Sequence, residues 1–261
     1  MVRDLPDILA RIVEYKRSEL AAAVVSRHEL ELLGEEIRPS RRDFRTALLE
    51  QNTAIIAEIK RATPSKGVLA AQFDPGVAAR AYESGGAAAL SVLTDEKFFQ
   101  GSLDDLCVAR GAVSLPVLRK DFTIDEYHVA EAAARSADAI LLIASILGEK
   151  RLRQLREYAG RFGMPALVEV HDEQELEKAL ASGAELIGVN NRNLRTFAVS
   201  LETSLRLAER IPATVIKVSE SGIRTAQDVR KLRQAGYDAM LVGEHLMRSR
   251  DPAKALRDLL K

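Results

Sequence analysis

The sequence predicts an α/β fold in which eight strand–helix units close into a (β/α)8 barrel behind an N-terminal helical extension. Three observations predict it. Short apolar runs recur eight times, their starts 20 to 33 residues apart, and a segment of helical period follows each one; that spacing holds a strand, a crossover helix and two short loops. Runs such as AILLIA are apolar on both faces, as strands of a parallel sheet covered on both sides must be. The 261 residues suit one large barrel. The runner-up, an open doubly wound sheet, carries a glycine-rich phosphate loop after its first strand, and the chain contains neither GxGxxG nor GxxxxGK[ST].

The elements follow in order. Residues 1–53 precede the first run, and within them LPDILARIVEYKRSELAAAVV has apolar residues at helical spacing, with a second helical stretch around RRDFRTALLEQ after Pro39. Such a helix either covers the N-terminal end of the barrel or forms a lid over its active-site mouth. Residues 54–261 hold the eight units, 26 residues each on average. The strands are AIIAEI (54–59), AAALSVL (87–93), LPVL (115–118), DAILLIA (138–144), PALVEV (165–170), ELIGVN (185–190), TVIKVS (214–219) and DAMLVG (238–243). The helices between them include DPGVAARAYESG, SLDDLCVARGA, IDEYHVAEAAARS and TAQDVRKLRQAG, several of which start at Asp, Ser or Thr and stop at Gly, as caps require. No low-complexity linker divides the chain, so residues 1–261 form one domain.

Composition excludes several partner classes. With 38 basic and 38 acidic residues the chain lacks the positive field of a nucleic-acid or anionic-membrane binder. Its longest apolar run, AILLIASIL at 139–147, falls short of the roughly 20 residues of a bilayer span. A single cysteine, Cys107, excludes an internal disulfide and a multi-cysteine metal site, and with a charged N-terminus it points to a soluble cytoplasmic protein.

In a barrel of this kind chemistry sits at the C-terminal ends of the strands, and polar residues cluster there. The first strand runs into Glu58-Ile59-Lys60-Arg61, the third into Arg119-Lys120-Asp121, the fifth ends with Glu169-Val170, the sixth continues through Asn190-Asn191-Arg192, and the seventh through Ser219-Glu220-Ser221-Gly222. The period of two puts Glu58 with Lys60, Leu167 with Glu169, and Val218 with Glu220 on one face, so Glu58, Glu169 and Glu220 are candidates for inward-facing carboxylates. Burying them costs several kcal/mol each unless they are paired. A purely structural salt-bridge network among Glu58, Lys60, Lys120 and Glu169 is the bland alternative; the convergence of five strands at one end favours a catalytic site. A lysine lowered by desolvation or a neighbouring cation then serves as a general acid near neutral pH.

Glycines in the seventh-strand turn SESGI and the eighth-strand turn VGEHLMRS, the second opening a short helix, mark the common phosphate site of this fold, so the expected substrate is a phosphate ester. The segment KRATPSKG (60–67), with three cations and no anion, reads as a mobile positive loop over that substrate. Phe98, Phe99 and Phe122 fall near the mouth, where they either pack a ring or anchor loops. His28, His128, His171 and His245 lack metal-ligand spacing, and at least three of them are expected at the surface. No metal is implied, Cys107 is a packing residue, and the absence of GxSxG disfavours a serine hydrolase of the α/β type.

At these residues the chain resembles the indole-3-glycerol phosphate synthase family. The motifs that carry the likeness are IAEIKRATPSKG, LSVLTDEKFFQGS, PVLRKDFTIDEYHV, ADAILLIASIL, LVEVH, IGVNNRNL, VSESGI and LVGEHLMRS, in order along residues 55–249. The resemblance implies decarboxylating ring closure of 1-(2-carboxyphenylamino)-1-deoxyribulose 5-phosphate to indole-3-glycerol phosphate, without metal or organic cofactor. It implies Lys120 as the acid at the sugar carbonyl, and Glu169 with the Glu58/Lys60 pair for the dehydration. Asn190, Glu220 and Ser221 would orient hydroxyls, and Arg192 and Lys60 would meet charged groups. Amides near Gly222, Gly243 and Glu244 would hold phosphate, while Phe99, Phe122 and Leu194 would wall the aromatic ring. Thr63 stands where the family usually has Ser and keeps the hydroxyl; His245 replaces a small residue beside the phosphate. The implied partner is a small anionic phosphate, and the expected state is a monomer with at most weak association with other tryptophan-pathway enzymes. Two rival functions are a phosphosugar aldolase or isomerase using Lys60 or Lys120 as a Schiff base, and a catalytically silent phosphate-binding barrel.

Overall fold

Each of the eight apolar runs overlaps a strand, the third and seventh strands starting two residues later than their runs and reaching past them. In the computed structural model, which describes residues 7–63, 67–68 and 73–261, these are β1 (Ala54–Ile59), β2 (Ala89–Leu93), β3 (Val117–Lys120), β4 (Ala139–Ile143), β5 (Ala166–Val170), β6 (Leu186–Asn190), β7 (Ile216–Glu220) and β8 (Ala239–Val242). Every strand pairs in parallel with the next, and β8 pairs with β1 to close the barrel. Antiparallel pairing of Ala62–Thr63 with Gly67–Val68 adds a small hairpin after β1.

Helices α1 (Asp7–Ala21), α2 (Arg27–Ile37) and α3 (Phe44–Leu49) form the extension. The outer layer is α4 (Pro75–Gly85), α5 (Glu96–Phe99), α6 (Leu103–Ala112), α7 (Glu126–Ala134), α8 (Glu149–Arg161), α9 (Glu173–Ala181), α10 (Glu202–Ala208), α11 (Ala226–Gln234), α12 (Glu244–Met247) and α13 (Pro252–Leu259). Side chains of Asp74, Ser102, Asp125, Asp172, Thr225 and Asp251 accept backbone N–H groups at the starts of α4, α6, α7, α9, α11 and α13, which fixes where each crossover begins. Gly86, Gly183 and Gly236 adopt left-handed φ just beyond α4, α9 and α11; there a Cβ would be strained, and the helix turns back toward the sheet.

Period-two alternation divides the apolar side chains into two cores. Ile55, Ala57, Val92, Ile140, Val168 and Val189 pack outward against the helices. Ile56, Leu118, Leu141, Leu167, Val218 and Leu241 fill the barrel interior. Phe44 and Leu48 of α3 join that interior layer beside the first residues of the strands, so α3 plugs the N-terminal end. Helix α1 does the opposite job. Its Ile8, Leu9 and Ile12 line the cavity at the C-terminal end, and its buried Lys16 pairs with Asp121 after β3 at 2.9 Å and with Asp95 at 3.2 Å. Both readings of the extension therefore hold, for different helices. The sequence reading missed α2, although Ser26 and Glu29 form a reciprocal capping box at its start; it packs against α7 closely enough that a Cβ on Gly34 would lie 2.7 Å from Ala133 Cβ.

Candidate active site

The C-terminal ends of the strands surround a cavity of about 1020 Å³, lined by Glu58, Lys60, Lys120, Glu169, Asn190 and Glu220. Glu58, Lys60, Glu169 and Glu220 occupy the inward register that the alternation predicted, Lys120 and Asn190 at the ends of β3 and β6 join them, and the three glutamates are buried. Lys120 Nζ lies 2.6 Å from Glu169 Oε2 and 3.2 Å from Glu220 Oε2. Lys60 pairs with Glu58. Asn190 Nδ2 donates to Glu169 Oε1 at 3.0 Å, and Asn190 Oδ1 accepts the Arg192 backbone N–H at 3.0 Å. Room for two of the carboxylates comes from glycines: a Cβ on Gly188 of β6 would overlap Glu220 Oε1, and one on Gly243, just past β8, would overlap Glu58 Oε1.

These contacts overturn one electrostatic expectation. Burial by itself pulls Lys120 down, but Glu169, Glu220 and Glu58 outweigh it and hold the lysine well above its ordinary value. Burial pushes Glu169 up, and Lys120 and His171 more than reverse that, leaving it below the ordinary carboxylate range. Glu220 moves the other way: burial and the charge of Glu169 raise it against the pull of Lys120. The cluster thus separates one firmly ionised carboxylate from one disposed to carry a proton. It is a salt-bridge network, and the network faces a substrate-sized cavity.

The remaining candidates fall around the rim. Phe99 and Phe122 face each other at 6.0 Å between ring centroids and line the cavity with Leu194, whereas Phe98 turns away to pack its ring edge against Tyr15 of α1. Ser221 and Gly222 both adopt left-handed φ, at 69° and 86°. A Cβ on Gly222 would come within 2.6 Å of Val199 Cγ1, so the turn after β7 needs glycine both for its backbone and for the loop packed on it. Gly222, Gly243, Glu244 and His245 line the same end of the cavity, joined by Arg224 and Arg248. Arg192 donates to the Phe197 carbonyl at 3.4 Å across the loop that follows β6. The Thr63 side chain and residues 64–66 of the positive loop lie outside the described residues.

The histidines depart from expectation. Only His28 is exposed. His128 is buried, its Nδ1 accepts the Ile124 N–H at 3.3 Å, and burial with the nearby Arg119 lowers it to about 3. His171 stands beside Glu169 with its Nε2 3.3 Å from Glu169 Oε1. Lack of metal-ligand spacing says nothing of this role; the signal for it in the sequence is the place of His171 two residues beyond Glu169, on the same face at the strand end. Cys107 is half-buried, with Sγ 3.5 Å from the Arg135 carbonyl oxygen. Among the described residues no helix is long and apolar enough to cross a membrane.

Comparison with known proteins bears on this arrangement. A family profile described as Indole-3-glycerol phosphate synthase matches residues 9–259. The chain is similar to the Indole-3-glycerol phosphate synthase of Desulfotalea psychrophila, at 51% identity over 98% of this chain and 99% of the relative, and to that of Chromobacterium violaceum, at 49% identity over 98% of each. Among solved structures, 3-hexulose-6-phosphate synthase from Salmonella typhimurium superposes with a TM-score of 0.64 at 12% identity, covering 79% of this chain and 96% of that one. Thiamine phosphate pyrophosphorylase from Pyrococcus furiosus does so at 0.59 and 17% identity, covering 82% and 95%. Those two likenesses show the fold alone.

Proposed function

This chain belongs to the indole-3-glycerol phosphate synthase family, and from that premise we propose how its mouth residues carry the reaction. The activity is a carbon–carbon lyase step of tryptophan biosynthesis: 1-(2-carboxyphenylamino)-1-deoxyribulose 5-phosphate closes to indole-3-glycerol phosphate with release of carbon dioxide and water. In ring closure the aromatic carbon that bears the carboxylate attacks the ribulose carbonyl carbon, and the carbonyl electron pair moves onto oxygen. Lys120 stands at that oxygen. An ammonium held this firmly protonated is a weak acid, so its first contribution is electrostatic stabilisation of the forming alkoxide; the proton follows once that oxygen has become more basic than the amine. The bond to the carboxylate then breaks, carbon dioxide leaves, and its electrons restore the aromatic ring.

Dehydration needs a proton for the departing hydroxyl and a base for the hydrogen left on the new five-membered ring. Glu169 and the Glu58–Lys60 pair supply them. Asn190, Glu220 and Ser221 orient the sugar hydroxyls. Phe99, Phe122 and Leu194 wall the anthranilate ring, and Thr63 is a further substrate-binding residue. Arg192 and Lys60 meet charged groups, while the amides around Gly222, Gly243 and Glu244 hold the phosphate at the end where Arg224 and Arg248 add positive charge. We further propose that the protein works as a monomer in the cytoplasm.

The observation that carries the reading is Lys120 between Glu169 and Glu220 at the floor of a cavity with an aromatic wall. Lys120→Met, followed by indole fluorescence, is expected to lose about 10³-fold in kcat while retaining affinity for indole-3-glycerol phosphate. Near-normal turnover would remove Lys120 as the acid. A Schiff-base mechanism needs a neutral amine, which the three surrounding carboxylates oppose; failure of borohydride to trap an adduct is the matching expectation.

A further inference from the structure

Behind Glu169 the barrel wall carries a second set of ionisable groups that the steps above leave unused. His171, just past the end of β5, is nearly buried, and each ring nitrogen faces a carboxylate. Nδ1 lies 3.0 Å from Glu175 Oε2 in the first turn of α9, and Nε2 lies 3.3 Å from Glu169 Oε1. The second contact is an ion pair rather than an aligned hydrogen bond, and Nε2 has no other partner. Ser145, on the loop after β4, donates to Glu175 Oε1 at 2.5 Å and sits 3.2 Å from Nδ1. The His171 backbone N–H donates to Glu175 Oε2 at 2.9 Å. Three separate segments thus converge on one ring, and the ring points at a carboxylate of the cavity floor.

We propose that His171 is a positioning residue for the reaction: held by Glu175 and Ser145, it pins Glu169 through the oxygen that Lys120 does not touch. The inference rests on Glu169 taking part as a carboxylate. Lys120 holds Oε2, whereas His171 and Asn190 hold Oε1, so both oxygens are fixed. Charges then alternate along a line from the cavity outward, Lys120, Glu169, His171, Glu175. Burial favours a neutral imidazole, and the two carboxylates overcome it, raising His171 to about 10.

The physical reason for such a prop appears when Lys120 gives up its proton. At that moment Glu169 loses its nearest cation, and a buried carboxylate left without one captures a proton or swings away. A cation on the far oxygen holds Glu169 ionised and in place until the lysine is recharged. A histidine that only staples the strand to α9 would have no influence on this step.

Side-chain reach separates the two roles. Asn at 171 places its carboxamide near the Nδ1 position and keeps the Glu175 side while removing the atom that faces Glu169; Gln extends an uncharged N–H donor to about the Nε2 position. Each variant, with Glu169→Gln alongside, is assayed by indole fluorescence and thermal unfolding. For His171→Asn, kcat is expected to fall about 10- to 100-fold with KM within about threefold of the parent and the melting midpoint little changed. His171→Gln should recover about tenfold of that loss. If His171→Asn turns over within about twofold of the parent while Glu169→Gln is crippled, the inference fails and the reading of Glu169 stands. Parent-like turnover in Glu169→Gln would sink that reading instead. A variant in which kcat, KM and the melting midpoint all collapse together assigns His171 a structural role and overturns the proposal. Glu175→Gln gives a check that spares the ring: a kcat loss of at least about threefold at unchanged KM is expected, and unchanged kcat counts against the relay.

Discussion

Glycine, the residue with no side chain, shapes the charged floor of the cavity as much as the charged residues do. Gly188 has an ordinary backbone, and its importance is space: it pairs with Val218 on β7, and any Cβ there would overlap the carboxylate of Glu220 two residues on. Gly188→Ala is therefore expected to force Glu220 off Lys120, lowering kcat more than tenfold, by rough analogy with small misplacements at other sites, and destabilising the fold by about 1–3 kcal/mol. Unchanged kinetics in that variant would show that Glu220 can move without consequence. At this scale the sequence named the carboxylates, because a charged residue inside an apolar alternation is conspicuous. It did not name Gly188, because what requires glycine there is an atom from the neighbouring strand. The spacing of His171 from Glu169 was legible at the strand end, whereas Glu175, which holds the other ring nitrogen, lies on the following helix.

The extension behaves as separate elements with separate tasks. Helix α3 is amphipathic enough to bury Phe44 and Leu48 under the strands, whereas α1 spans the mouth and is fastened by one buried cation. Lys16 is surrounded by Asp121, Asp95 and Glu19 at 2.9 to 3.2 Å; burial opposes its charge, yet the carboxylates keep the ammonium fully protonated. Lys16→Met leaves Asp121 and Asp95 buried without that cation, which costs about 3 kcal/mol or more. Loosening α1 also draws Ile8, Leu9 and Ile12 away from the substrate, so KM is expected to rise about tenfold while kcat changes less. An unaltered KM would detach α1 from binding. Period and caps showed that a helix forms here, and nothing in the local sequence could show which end of the barrel it covers. That depends on Asp95 and Asp121, which lie some 80 and 105 residues downstream of Lys16.

Over the whole molecule two buried histidines impose opposite pH dependences. His128 is lowered to about 3 from 6.5, so the unfolded chain binds its proton more readily; the stability it confers is complete above pH 6.5 and declines as pH falls toward 3. His171 is raised to about 10, so its contribution is complete below pH 6.5 and is lost as pH rises toward 10. These histidines act on opposite flanks of the stability curve, and Glu220, raised by burial and by Glu169, contributes stability that is likewise lost as pH rises. In His128→Asn, whose side-chain oxygen can still accept the Ile124 N–H, the loss of stability between pH 6.5 and 5 should shrink; an unchanged acid slope would clear His128 of that role.

What the sequence determined by itself was everything that repeats or alternates: eight strands, their helices and caps, the two-sided apolar sheet, the inward register of Glu58, Lys60, Glu169 and Glu220, and the strand-end placement of Lys120 and Asn190. Such features are local, because the period of a strand or helix acts over a few residues and ring closure then follows from the count. Tertiary structure decided the charge states and the supporting contacts. Lys120 is raised rather than lowered because carboxylates from three other strands converge on it. His171 reaches Glu169 because a strand end, a loop and a helix start meet there, and α1 lies over the mouth because Lys16 finds two distant aspartates. Electrostatic energy depends on distance through space and on exclusion of water, and neither is written in the spacing of residues along a chain.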